Sequence, residues 1–268
     1  MVVVTITEPE IPMTDVGTFA WARRTGGRVN LQDRLTLVRL GVGSLLLELP
    51  AMVSYRLGLK RSFPSSIDLE SLKAPDTKAA RAAEILLTEL APPFMVNHSL
   101  RTYWFSRLIG LGAGRSFDDE LLYVASLTHD LGFYGRYAEP THDAECFTIR
   151  SARSASDIAK AAAWELAREE RLAEAVILNA NGHVPPALGV EAHLMMRGVL
   201  VDATGIHAWR IHPNSIKEVF DHLPMLDQKE KLWPTFRDEA NRHPCCRGYF
   251  AKNYMQFGLI VRLSPWNR

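Results

Sequence analysis

Apolar residues recur at helical spacing along most of the chain, and no long alternating pattern competes with them. From Asn30, the series Leu35, Val38, Leu45 and Leu49 marks one helix, which Asn30 or Asp33 can cap. A second, rich in Ala, Leu and Glu, spans about 77–90; Pro92 and Pro93 then punctuate the chain before a helix that starts near Asn97. Asp118, Asp119 and Glu120 lead the next, at about 117–131, where acidic groups suit the positive end of a helix. Further helical patterns cover about 143–152, 154–180, 189–204, 213–222, 226–242 and 246–256. Residues 1 to about 30 read as an irregular arm and 61–66 as a loop. The pattern predicts an all-α protein with one catalytic-type domain. An N-terminal arm and helical extension (1–90) and a C-terminal helical extension (206–268) pack on a core at 91–205.

The most apolar passage, 35–53, contains Leu45-Leu46-Leu47 but is interrupted by Arg39 and Glu48, and Pro50 is expected to break or kink a helix there. A spanning helix needs about 20 predominantly apolar residues. The passage therefore predicts a buried or self-associating helix and no transmembrane segment, with membrane-surface contact as the lesser alternative. Its apolarity also points to a possible homodimer.

Composition narrows the partners. The 268 residues are 47% hydrophobic and 23% charged, too apolar for wholesale disorder. Lys and Arg number 31 against 30 Asp and Glu, so there is no basic field to favour nucleic acid. Three cysteines, Cys146, Cys245 and Cys246, make neither a disulfide framework nor a spaced zinc motif and read as reduced thiols. The first residues lack the basic and apolar regions of a secretory signal, so the expected location is cytoplasmic.

Candidate chemistry sits on the apolar faces. His98 shares a face with Thr102, Phe105 and Ile109, and His129 extends one formed by Leu122 and Ala125, so the two imidazoles can converge between packed helices. Asp202 follows Met195 and Val199 on a later apolar face, where a carboxylate must be paired, hydrogen-bonded or metal-bound. With Asp130 these residues supply two nitrogen and two carboxylate donors, a set suited to one divalent transition metal, Zn²⁺ first, then Fe²⁺, Mn²⁺ or Co²⁺.

The order His98, then His129-Asp130, then Asp202 resembles the H…HD…D signature of the HD superfamily of metal-dependent hydrolases, over about residues 90–205. Val96-Asn97-His98-Ser99-Leu100-Arg101-Thr102-Tyr103 and Leu127-Thr128-His129-Asp130-Leu131-Gly132 are similar to the cyanamide hydratase-like branch. That resemblance implies an all-helical fold with extra N- and C-terminal helices, and a metal centre at His98, His129, Asp130 and Asp202. The chain departs from the branch at Asn179, where a histidine is common; an amide can orient water or substrate but cannot take its proton. Two-metal members use further histidines between the His-Asp pair and the last Asp. Here His142 and His183 lie in that interval, near turns, with His183 the better second-metal or substrate contact, and a single metal is favoured.

The expected reaction is attack of a metal-activated water on a small molecule. A cyanamide- or nitrile-like substrate gives a hydratase; a small phosphoester gives a phosphohydrolase, for which Arg101, Arg107, Arg136 and Arg197 are scattered without a phosphate loop. A dinuclear iron oxygenase and a non-catalytic HD sensor are lesser alternatives. Asp130 can also accept a proton, and Asn97 and Thr128, beside the ligand histidines, are candidates to orient water or substrate. His193, His207, His212 and His222 carry no expected role, and Trp164, Trp209 and Trp233 read as packing residues.

Overall fold

Capping chemistry sets where the helices begin. Thr18 accepts from the Trp21 amide and opens α1 (Phe19–Thr25). Asn30 and Asp33 form a reciprocal capping box at the start of α2 (Leu31–Arg56), and Thr77 caps α3 (Lys78–Leu90). α4 (Pro93–Gly112) begins with proline at its first position, where no amide bond is lost. Asp118 caps α5 (Asp119–Thr128) through the Leu121 amide. The order continues with α6 (Phe147–Ala161), α7 (Leu166–Leu178), α8 (Val190–Thr204), α9 (Pro213–His222), α10 (Gln228–Arg242), α11 (Arg247–Asn253) and α12 (Phe257–Arg262). The computed structural model describes residues 14–59, 63–139 and 145–266. Among these the protein is all-α, with twelve α-helices and no strand. His142 lies outside the described residues.

Several boundaries differ from the sequence reading. α4 starts at Pro93, so Asn97 sits inside the helix, and its amide donates to the Pro224 carbonyl at 2.8 Å instead of capping. No breaker separates 152 from 154, and α6 runs through that point. The break comes later, at Ala163 (φ 59°), where the Trp164 amide folds back on the Ala159 carbonyl. Pro50 does not end α2, which continues to Arg56. α1 lies within the segment read as an irregular arm.

The core is built on α4 packed along α8, with α5 against α4 and α6 against α7. Close approach of α4 and α8 depends on Gly198: a Cβ there would lie 2.1 Å from Ser106 Oγ and 2.4 Å from the Thr102 carbonyl oxygen. Thr102 is one turn beyond His98, and Gly198 one turn before Asp202, so this contact places His98 opposite Asp202. Gly132 does the same for the turn after α5. A side chain there would strike the Phe147 carbonyl oxygen, and the glycine amide donates to Ser151 Oγ at 2.9 Å.

Burial of α2 is partial. Only Asp33, Leu37 and Leu40 are buried, whereas Leu35 (59%) and Leu46 (62%) stand exposed with Leu31, Val42, Leu45, Leu47, Leu49 and Val53. By length and composition α2 could cross a membrane, the only such helix among the described residues. Its inner face, with Gly41, Ser44, Glu48 and Met52, forms one wall of the cavity that leads to the candidate site.

Candidate metal centre

His98 from α4 and His129-Asp130 at the end of α5 meet in the interior, all three buried, with one donor atom from each within 4.8 Å of the others. The two imidazole rings lie 5.2 Å apart. His129 Nδ1 is 2.8 Å from the Ser126 carbonyl oxygen, which can only accept; Nδ1 therefore carries a proton, and Nε2 is the nitrogen left to face a metal. That Nε2 is buried, makes no hydrogen bond, and lies 3.2 Å from Asp130 Oδ2. His98 is held in the same way by Asp202, whose Oδ2 is 2.5 Å from Nδ1, leaving Nε2 3.6 Å from Asp130 Oδ2.

A buried imidazole nitrogen without a hydrogen-bond partner is what a metal ligand looks like before it binds. The three donors, two nitrogens and one carboxylate, match the chemistry of Zn²⁺, Fe²⁺, Mn²⁺ or Co²⁺. The residues present therefore fit the ion that the sequence signature implies.

Asp202 stands apart from this cluster. Its two oxygens receive Arg101 Nε at 2.5 Å, Arg101 Nη2 at 3.2 Å, Gln228 Nε2 at 2.8 Å and His98 Nδ1. Three of these donors converge on Oδ2 and one on Oδ1. Of the four expected donors, His98, His129 and Asp130 converge, and Asp202 meets them through His98, a contact of the kind that fixes the tautomer of a metal-binding imidazole. Arg101 is fully buried and also donates to the Leu223 and Pro224 carbonyls and to Gln228. Gln228 carries no motif and escaped the sequence reading.

Charge follows geometry. Burial works against a charged His98, but its hydrogen bonds to Asp130 and Asp202 outweigh it and push the pKa up to about 9. Burial also opposes ionisation of Asp130 and Asp202. His129 and His98 nevertheless hold Asp130 well below the usual carboxylate range, and Arg101 and His98 do so for Asp202. The metal-free centre thus stores a proton on His98 between two carboxylates.

His98 and Asp130 open onto a cavity of about 190 Å³. Asn179, at the end of α7, lines it with a buried Oδ1 that makes no hydrogen bond. Asn97, Thr128 and His183 are not brought to its wall. The Asn97 amide is spent on Pro224, the Thr128 hydroxyl back-bonds to the Val124 carbonyl at 2.8 Å, and the chain turns at Gly182 (φ 71°) before His183. His207 and Trp209, given no role in the sequence reading, do line the cavity. His207 is buried, with a left-handed backbone (φ 71°), 3.7 Å from Glu48. Burial first, then Arg197 and Arg210, keep its pKa well below the ordinary value, so it is a neutral group.

No curated protein matches the chain. A family model described as HD domain matches residues 95–197, a stretch that holds His98, His129 and Asp130 and ends before Asp202, and this match supports placing that part of the chain in the HD superfamily.

Proposed function

We propose that the protein is a metal-dependent hydrolase or hydratase that adds water to a small, uncharged molecule. The observation that carries this reading is the pair of buried imidazole nitrogens and one carboxylate converging at the inner end of a mostly apolar cavity. The chemistry such an ion supplies when bound is acidification of water toward neutrality and polarisation of an electrophile. The chain's own residues do the rest. Asp202, clamped by Arg101 and Gln228, sets the tautomer of His98, and the Ser126 carbonyl sets that of His129. Asp130, ionised and facing the cavity, is placed to accept a proton as well as to bind. Asn179 offers an acceptor that orients water or a substrate N–H.

A cyanamide- or nitrile-like substrate, which becomes a urea or amide on gaining water, suits this setting better than a phosphoester. A phosphate needs several uncommitted cations. Arg101 is committed to Asp202, Arg107 to Asp119 and the Lys73 carbonyl, and the cavity-lining Arg247 to Asn181 and Thr148. A dinuclear oxygenase needs a second set of donors, and the described residues contain one such cluster. Elemental analysis of the purified protein, with product detection on cyanamide, small nitriles and a panel of phosphomonoesters, tests the proposal. Stoichiometric metal with urea or amide formation supports it. Phosphate release overturns it in favour of a phosphohydrolase, and a metal-free, inactive protein in favour of a sensor.

A further inference from the structure

The cavity beside the metal centre carries more specificity than addition of water requires. Its wall next to Asp130 is aromatic: Phe133, three residues on, stacks on Phe147 with centroids 4.4 Å apart at 18°. Phe236 stands edge-on to both, at 6.4 Å and 6.2 Å, and packs on Phe257 at 4.9 Å. Met52 and Met255 continue the apolar lining. The charged and titratable groups at the wall, beyond the metal residues, are Glu48, His207 and Arg247. Glu48 is paired with Arg210 at 2.5 Å, His207 is neutral, and Arg247 is held by Asn181 Oδ1 at 2.6 Å and Thr148 Oγ1 at 2.8 Å. Of the two asparagines at the wall, Asn181 is spent on Arg247 and the Val16 carbonyl, whereas Asn179 Oδ1 is buried without a hydrogen bond.

We infer that this cavity is a substrate-body site for an uncharged molecule that joins one ring-sized apolar group to an N–H-bearing head, such as an aryl carboxamide or an N-aryl cyanamide. This rests on the metal-dependent reading above for the fate of the head group, but the binding site itself is complete without an ion. An apolar cavity of about 150 Å³ accommodates a benzene ring, so 190 Å³ holds a ring with a short substituent. The phenylalanine rings present faces and edges to it. Asn179 Oδ1 then accepts the head-group N–H and directs the electrophilic carbon toward His98 and Asp130. For an N-aryl cyanamide the balanced reaction is addition of one water across the C≡N bond, oxygen to carbon and both hydrogens to the terminal nitrogen, giving an N-aryl urea.

The test uses the metal-stripped full chain with phenylurea, benzamide and phenyl phosphate as probes, followed by calorimetry and ligand-observed NMR. Saturable binding of phenylurea and benzamide but not of phenyl phosphate is expected. Asn179→Leu should weaken both by about tenfold, the worth of one hydrogen bond. Ala203→Leu, which fills the cavity from α8, should abolish binding while leaving the unfolding temperature near that of the parent. Equal binding of phenyl phosphate, or no saturation by any probe, overturns the inference. Because binding is read without metal, that failure is distinct from failure of the metal reading, which elemental analysis reports.

Discussion

His98 is the residue through which the site is organised, because each of its nitrogens answers to a different carboxylate. Nδ1 is fixed by Asp202, and Nε2 faces Asp130 and the cavity. If Asp202 acts by orienting His98, Asp202→Asn should lower metal affinity by about 10–100-fold, whereas His129→Ala should remove stoichiometric metal altogether. Competition with a chromophoric chelator distinguishes the two, and complete loss in Asp202→Asn would make it a direct ligand. The stored proton adds a pH dependence. The folded pKa of His98, about 9, lies above its ordinary 6.5. Its contribution to the stability of the metal-free protein is therefore fully present below 6.5 and lost as pH rises through 9. Metal uptake runs the opposite way: it displaces the proton, so affinity should fall as pH drops below about 9, and binding there should release close to one proton. Calorimetry in buffers of different ionisation enthalpy measures that release. The residue types and order of this cluster were legible in the sequence, but the way Asp202 is held was not. It depends on Arg101 and Gln228 reaching the same carboxylate from different helices, and no spacing records that.

Among the elements, α4 and α8 carry the site, and their separation is set by one residue. A methyl at Gly198 has no room against Thr102 and Ser106. Gly198→Ala is expected to cost about 1–3 kcal/mol of stability, the usual penalty of overpacking, and to weaken metal binding by shifting His98 from Asp202. Urea denaturation and metal titration of the same variant test both parts. Helix existence was well read from periodicity; helix ends were not. α4 begins at Pro93 because proline is favoured at a first helical position, yet a proline pair reads equally well as a break. Pro50 shows the converse: it lies within α2 on the exposed side, where packing does not oppose a missing amide bond.

At the scale of the whole molecule, the C-terminal extension helps to complete the cavity. α10, α11 and α12 contribute Phe236, Arg247 and Phe257 to its wall, and Gln228 of α10 reaches Asp202. A buried ion pair joins this extension to the core: Arg150 of α6 donates to Glu239 of α10 and to the Gly132 and Tyr137 carbonyls. Removing one partner of such a pair strands the other in the interior. Arg150→Met should therefore lower unfolding stability by about 3–5 kcal/mol, measured by urea denaturation. An unchanged midpoint would show that the extension is held by its apolar contacts alone.

The sequence by itself determined the helical class, the existence of most core helices and the histidine and carboxylate candidates, because helical periodicity and local residue spacing are properties of the chain. Tertiary structure alone decided that Asp130 faces the cavity and that Asp202 hydrogen-bonds His98. It also decided that Arg101 and His207 are buried, and that phenylalanines from 133, 147, 236 and 257 share one wall. Those outcomes arise from packing between segments far apart in the chain. There the approach of two helices, or the hydrogen bonds one carboxylate can accept, is settled by neighbours that no local pattern names.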